Sequence, residues 1–280
     1  MKSIVCATDY SSGSVSALKM AHVLSDKLHA KLVVLHVFDL NIALLTPLSM
    51  TYQKMENEEF GKHYERLEDF CKAHIGLDSS AKELELVVRE NPIVSEAITD
   101  VFIGFDALLV VMGTKGTSTL KNLIMGSNTT AMIKKRSCPL MNIPPNLSSF
   151  SLERIGYATD YDDGDIPVLS WLVKHLVAPL GSYLHVLHVH SMGVEAGEIQ
   201  MNRFRALLKQ KIPYKKIGFE LMYAQNISDA VMQYLERGEV DILMMLERGK
   251  KETFAHTNMV KKIMRKTAIP LLSINESMVQ

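Results

Sequence analysis

The sequence predicts an α/β protein built as two tandem, doubly wound parallel sheets of five strands each, with helices on both faces. Three observations lead there. The chain has 280 residues, about twice a common domain size. Short apolar runs alternate with longer segments of helical periodicity. And the chain repeats itself. Ile4-Val-Cys-Ala-Thr-Asp-Tyr10 returns as Ile155-Gly-Tyr-Ala-Thr-Asp-Tyr161, an offset of 151. Leu32-Val-Val-Leu-His-Val37 returns as Leu184-His-Val-Leu-His-Val189, an offset of 152. Asp106-Ala-Leu-Leu-Val-Val-Met112 aligns with Asp241-Ile-Leu-Met-Met-Leu-Glu247 at 135, and Cys138-Pro-Leu-Met-Asn-Ile143 with Ile269-Pro-Leu-Leu-Ser-Ile274 at 131. Four blocks in one order define a duplication. The falling offset means that the second copy has lost residues, mostly before its third block. The join lies in the Pro/Ser-rich Pro144-Pro-Asn-Leu-Ser-Ser149, so the expected domains are 1–145 and 152–280.

Each element of the first copy follows from its pattern. Residues 4–7 form a short apolar strand. Residues 14–28 place Val15, Leu18, Ala21 and Val23-Leu24 near helical spacing. Residues 32–37 are a second strand, apolar apart from His36. Residues 50–74 read as a long polar helix with an inner stripe of Met55, Phe60, Tyr64, Leu67 and Phe70-Cys71. A third strand covers 84–88. Asn91-Pro92 is expected to open the next helix, with proline just inside its start. Residues 107–112 form a fourth, wholly apolar strand, 127–135 a helix and 140–143 a fifth strand. Continuous apolar strands separated by helices indicate a parallel sheet covered on both faces.

Composition narrows the function. Apolar residues make up 47% and charged residues 22%, which excludes a disordered chain. Basic and acidic residues number 31 each, split 15 to 16 up to Pro145 and 16 to 15 beyond it. Neither half is a basic module, so no nucleic-acid partner and no polybasic membrane anchor are expected. The most apolar stretch, 101–112, is broken by Asp106 and too short to span a bilayer. The N-terminal apolar run meets Asp9 too soon for a signal peptide. Cys6, Cys71 and Cys138 form neither a disulfide framework nor a metal pattern. They read as buried free thiols in a reducing, cytoplasmic setting.

Ligands of such sheets bind at the carboxyl ends of the strands, where the strand order reverses. Ala7-Thr8-Asp9, Val37 and the segment from Gly113 reach that edge. The last reads Gly113-Thr-Lys-Gly116, nine residues, then Gly126-Ser127-Asn128-Thr129. Two glycines three apart let backbone N–H groups approach a bulky anion. Gly126-Ser127 then opens a helix whose free N–H groups favour phosphate, with Ser127 and Thr129 as hydroxyl donors. Asp9 suits a ribose hydroxyl or a phosphate-held metal. The spacing is neither a Walker loop nor a GxGxxG after the first strand.

With these residues in view, the chain resembles the ATP-binding universal stress protein family. The resemblance rests on G-x2-G-x9-G-[ST] after the fourth strand and Asp at the end of the first, and two copies cover nearly the whole chain. It implies an adenine nucleotide α-hydrolase-like, Rossmann-like fold and ATP as ligand, with Mg or Mn as its metal. By position, Ala7, Thr8 and Asp9 would line the adenosine side, and Val37 would give backbone contacts to adenine. Met112, Gly113, Lys115 and Gly116 would wrap ribose and phosphates. Gly126, Ser127, Asn128 and Thr129 would hold phosphates at the helix start. It further implies a stress-response role with an unidentified protein partner, at most weak ATPase activity, and an intramolecular pseudo-dimer through 140–143 and 271–274. Association of two chains into a homo-dimer stays open.

The second copy departs from the pattern. Asp160 and Val189 persist, but the alignment sets Arg248 and Lys251 against the glycines, and Thr257-Asn258 against Gly126-Ser127. No ATP is expected there; Arg248, Lys250 and Lys251 read as a solvated basic loop. Plainer readings compete elsewhere: Gly113 and Gly116 as turn glycines, Asp9 as a helix cap, Lys115 as merely exposed. His36 and His188 read as satisfied core residues, and His185, His188 and His190 lack zinc spacing. Met20, Met55, Met132 and Met264 read as core. The alternative to an ATP-binding regulator is a non-nucleotide interaction module on the same fold.

Overall fold

In the computed structural model, the structure describes residues 2–40, 50–114, 127–135, 137–145, 147, 150–191, 194–247, 262–263 and 267–278, the side chains of 50–55, 134 and 277 excepted. The elements run β1 (Ser3–Thr8), α1 (Ser12–Leu28), β2 (Lys31–Phe38), α2 (Met50–Ile75), β3 (Leu84–Glu90), α3 (Val94–Gly104), β4 (Ala107–Gly113), α4 (Ser127–Lys135) and β5 (Leu140–Ile143). The second half follows as β6 (Arg154–Ala158), α5 (Asp165–Leu172), a π-helical turn Val173–Val177, α6 (Ala178–Leu180), β7 (Tyr183–His190), α7 (Val194–Lys211), β8 (Ile217–Tyr223), α8 (Ile227–Glu236), β9 (Ile242–Glu247) and β10 (Leu271–Asn275).

The strands form one ten-stranded sheet in the order β3-β2-β1-β4-β5-β10-β9-β6-β7-β8. Each half is parallel within itself. The seam is antiparallel: Leu271 faces Asn142, Leu272 faces Met141 and Ser273 faces Leu140. This is the expected intramolecular pairing, and it gives each half a neighbour for a strand that would otherwise be an edge. Alternate residues of the buried strands feed two apolar layers. Ile4, Cys6, Leu32 and Val34 pack under α1 and α2, and the same layer continues across the seam to α5 and α7. Val5, Ala7, Val33 and Leu35 pack under α3 and α4, continuing to α8. All three cysteines are free and buried within these layers. Among the described residues, no helix is long and apolar enough to cross a membrane.

Three details differ from the sequence reading, and one expectation lies partly outside the described residues. Tyr64 is 39% exposed; within α2 the inward positions near it are held by His63, Leu67, Phe70 and Cys71, because His63 stacks on Phe38 at 4.5 Å. Pro92 precedes its helix rather than entering it. Asn91 Oδ1 accepts from Ile93 N–H at 2.7 Å, and the helix opens only at Val94. The third difference is the repeat alignment. Ala7 pairs with Met112 and Ala158 with Met245, while Met112 pairs with Asn142 and Met245 with Ser273. Both ladders therefore match Met112 to Met245 and Gly113 to Leu246, not to Arg248. A register shift between Ser3 and Ile4 passes over Leu108 in the first half, and matching Asp106 with Asp241 at 135 overshoots the ladders by two residues. Val94-Ser-Glu-Ala-Ile98 against Ile227-Ser-Asp-Ala-Val231 shows the true offset of 133. Last, Met20 and Met132 are buried as expected, whereas the side chains of Met55 and Met264 lie outside the described residues.

The seam is also a stability element. Leu272 is fully buried there, so Leu272→Ala is expected to cost about 2–5 kcal/mol in urea denaturation.

Candidate functional site

The order β3-β2-β1-β4-β5 reverses between β1 and β4, and a crevice opens at their carboxyl ends. The structure brings nine of the sequence-selected residues to one cavity of about 100 Å³ there: Ala7, Thr8, Asp9, Val37, Met112, Gly113, Ser127, Asn128 and Thr129. Lys115, Gly116 and Gly126 lie outside the described residues. The cavity has two characters. Ala7, Leu35, Val37, Ile98 and Met112 make an apolar end, while Asp9, Ser14 and the first turn of α4 make a polar one. Helix N-termini carry unpaired N–H groups and partial positive charge, and Ser127 opens α4.

The loop after β1 is tightly held. Ser14 Oγ donates to Asp9 Oδ1 at 2.7 Å, Ser11 N–H to the same oxygen at 3.1 Å, and Asp9 N–H to Ser14 Oγ at 3.2 Å. Ser11 caps α1 by accepting from Ser14 N–H. Asp9 therefore does organise the helix start, as its plainer reading held, while its exposed carboxylate also lines the cavity.

Tyr10 follows in the left-handed region, φ 63°, where a bulky residue is a backbone outlier. Its N–H donates to Thr8 Oγ1 at 3.0 Å, and His36 Nδ1–H donates to the Thr8 carbonyl at 3.0 Å. The Tyr10 ring lies 4.4 Å from His36, with the Arg66 guanidinium 4.1 Å above its centre. Burial pushes the Tyr10 hydroxyl up to about 12. The second half repeats this clamp. Tyr161 has φ 60°, its N–H donates to Thr159 Oγ1 at 2.8 Å, and His188 Nδ1–H donates to the Thr159 carbonyl at 2.7 Å. The expected satisfaction of these histidines holds at Nδ1, but His188 Nε2 is buried with no hydrogen-bond partner.

Sequence reasoning missed Ser14, Leu35, Val94 and Ile98 in the cavity wall. Leu35 was accessible from strand alternation with Val37, and Val94 and Ile98 from the repeat at offset 133. It also missed Gly13. A Cβ on Gly113 would lie 2.3 Å from the Gly13 carbonyl, and a Cβ on Gly13 would lie 2.3 Å from that of Thr114. Gly113 is thus required for the first turn of α1 to rest on the end of β4, a packing role beside any ligand role.

These features define an α/β protein with a crevice at its topological switch point. A model of the universal stress protein family matches residues 1–144, and the chain belongs to that family. Solved structures share the fold across the whole chain. A universal stress protein from Archaeoglobus fulgidus DSM 4304 is 18% identical, with 98% of each chain covered and a TM-score of 0.71. A functionally unknown protein from Pseudomonas aeruginosa PAO1 is 10% identical, with 100% of this chain and 94% of that one covered and a TM-score of 0.59. No match was found among curated proteins.

Two outcomes are expected from this geometry. Gly113→Ala should lower stability by about 1–3 kcal/mol through overpacking, read by calorimetry. The second concerns pH. Burial lowers the pKa of His36 and His188, against the opposing effect of their carbonyl bonds. The unfolded chain then binds more protons than the folded one below the ordinary histidine value. The stabilisation is complete above about pH 6.5 and is lost as pH falls through the depressed folded values. The melting temperature should drop on acidification below that point, and the drop should be smaller in the double variant His36→Asn/His188→Asn.

Proposed function

We propose that the protein is an ATP-binding regulator with one nucleotide site, in the crevice between β1 and β4. The observation that carries the reading is that one crevice joins the apolar side chains of Ala7, Val37 and Met112 to the start of α4. An adenine ring against Ala7, Val37 and Met112 leaves ribose beside Asp9 and directs phosphates to Ser127, Asn128 and Thr129, where backbone N–H groups and hydroxyls are donors. Lys115, Gly116 and Gly126 complete the phosphate loop in this reading, and Mg or Mn accompanies the triphosphate.

Asp9 is engaged by Ser11 and Ser14, so we read the site as one that holds nucleotide rather than turning it over rapidly. Occupancy then reports energy status to a protein partner in a stress response.

Isothermal titration with ATP tests this. The wild type should bind, and Ser127→Asp should lose at least about tenfold in affinity, ~1.4 kcal/mol, because the new carboxylate faces the phosphates. The same carboxylate complements the helix dipole, so thermal stability should hold or rise. Equal binding by both proteins, or none by the wild type, overturns the assignment.

A further inference from the structure

A second cavity, of about 140 Å³, sits at the matching place in the other half, at the carboxyl ends of β6, β7 and β9. With the ladder alignment, its wall can be compared with the first position by position. Ala7, Thr8, Asp9, Leu35, Val37 and Met112 recur as Ala158, Thr159, Asp160, Leu187, Val189 and Met245. Val94 and Ile98 recur as Ile227 and Val231. The apolar end is therefore retained almost residue for residue.

Among the described residues two matched positions change character, and His188 joins the wall although its counterpart His36 does not line the first cavity. Gly113 becomes Leu246, and Ser14 becomes Asp165. The changes are coupled through packing. Gly113 lets the first turn of α1 rest on β4. Leu246, 5% exposed, puts a side chain there, and α5 opens at Asp165, two residues later than α1 opens at Ser12 on the 151 offset. The Asp165 carboxylate is 1% exposed. It accepts from Tyr157 OH at 3.2 Å and from Thr159 Oγ1. The hydroxyl beside the phosphate end of the first cavity is thus a buried carboxylate in the second, on the same side as Asp160.

An anion at that end faces the carboxyl oxygens of Asp165 and Asp160 rather than the Ser14 hydroxyl of the first cavity. A donor meets acceptors, since each carboxylate offers about four lone-pair sites. The second cavity is the roomier of the two, about 140 Å³ against about 100 Å³, and a cavity of about 150 Å³ holds benzene, so an aromatic ring fits its apolar end.

We infer that the second cavity is a ligand site in its own right, for a phosphate-free aromatic molecule that carries a hydroxyl or amine donor. The ring lies against Leu187, Val189, Val231 and Met245, and the donor points to Asp165 and Asp160. The tandem protein then reads two unlike ligands through one fold.

Met112 and Met245 hold equivalent places in the two cavities, so methyl NMR of the full chain, labelled at methionine and assigned with Met112→Leu and Met245→Leu, reads each site separately. Tyramine, phenethylamine and indole are the probes, with benzoate as an anion of like size and ATP as the nucleotide. The expected result is a saturable shift of the Met245 methyl with at least one donor probe, at least tenfold weaker with benzoate, and no shift with ATP. Val231→Phe, which fills the cavity, should abolish the response while the remaining methyl spectrum keeps its folded dispersion. A Met245 methyl that ignores all three donor probes, responds equally to benzoate, or shifts with ATP overturns the inference. The Met112 response to ATP tests the nucleotide reading independently, since either methyl can respond without the other.

Discussion

The first turn of α1 lies on the last residues of β4 with nothing but backbone between them. Gly13 and Gly113 allow it: a Cβ on either would sit 2.3 Å from the other segment's backbone. That approach places Ser14 beside Asp9 and holds the wall of the crevice opposite α4. The crevice exists because the strand order reverses at β1 and β4. Its detailed shape depends on how close the helix start comes. Leu246 removes that closeness in the second half, where α5 opens two residues late and a carboxylate lines the wall. The glycine position is one of the differences between two cavities that share most of their apolar lining.

A second device is common to both halves. Thr8 and Thr159 each receive a backbone N–H on the side chain and a histidine Nδ1–H on the carbonyl. Tyr10 and Tyr161 take the left-handed conformation as a result. The tyrosines of the clamp pack in the layer under α1, α2, α5 and α7, while His188 also lines the second cavity. The clamp fixes the loop that carries Asp9 or Asp160. This accounts for Ala-Thr-Asp-Tyr being the most faithful block of the repeat: its residues serve the loop conformation, which both halves need, as well as the crevice.

The α/β class, the five strands of the first half and the helix at Ser127 were all legible, because apolar runs and helical periods fix which residues must be buried; the strand order came only with the structure. The pairing of the two halves was legible too, through the family resemblance and then in the ladder of Leu271 with Asn142. Nine of the selected site residues share one cavity because strand ends in a parallel sheet lie at one edge. The wall residues Ser14, Val94 and Ile98 were harder to see, since they come from helix starts whose approach to the sheet no local pattern encodes. The exposure of Tyr64 and the late start of α3 were misread for a like reason: stacking of His63 and the Asn91 turn decide them.

By itself the sequence determined the duplication, the buried strands and the glycine-rich segment that departs from its copy, because composition and period act along the chain. The tertiary structure decided between two offsets that the sequence offers, 135 from Asp106 with Asp241 and 133 from Val94–Ile98 with Ile227–Val231, because strand register is set by hydrogen bonding between neighbours. With the register known, Gly113 answers to Leu246 rather than Arg248. The difference between the halves then becomes one of packing beneath a helix start, with a buried carboxylate as its consequence.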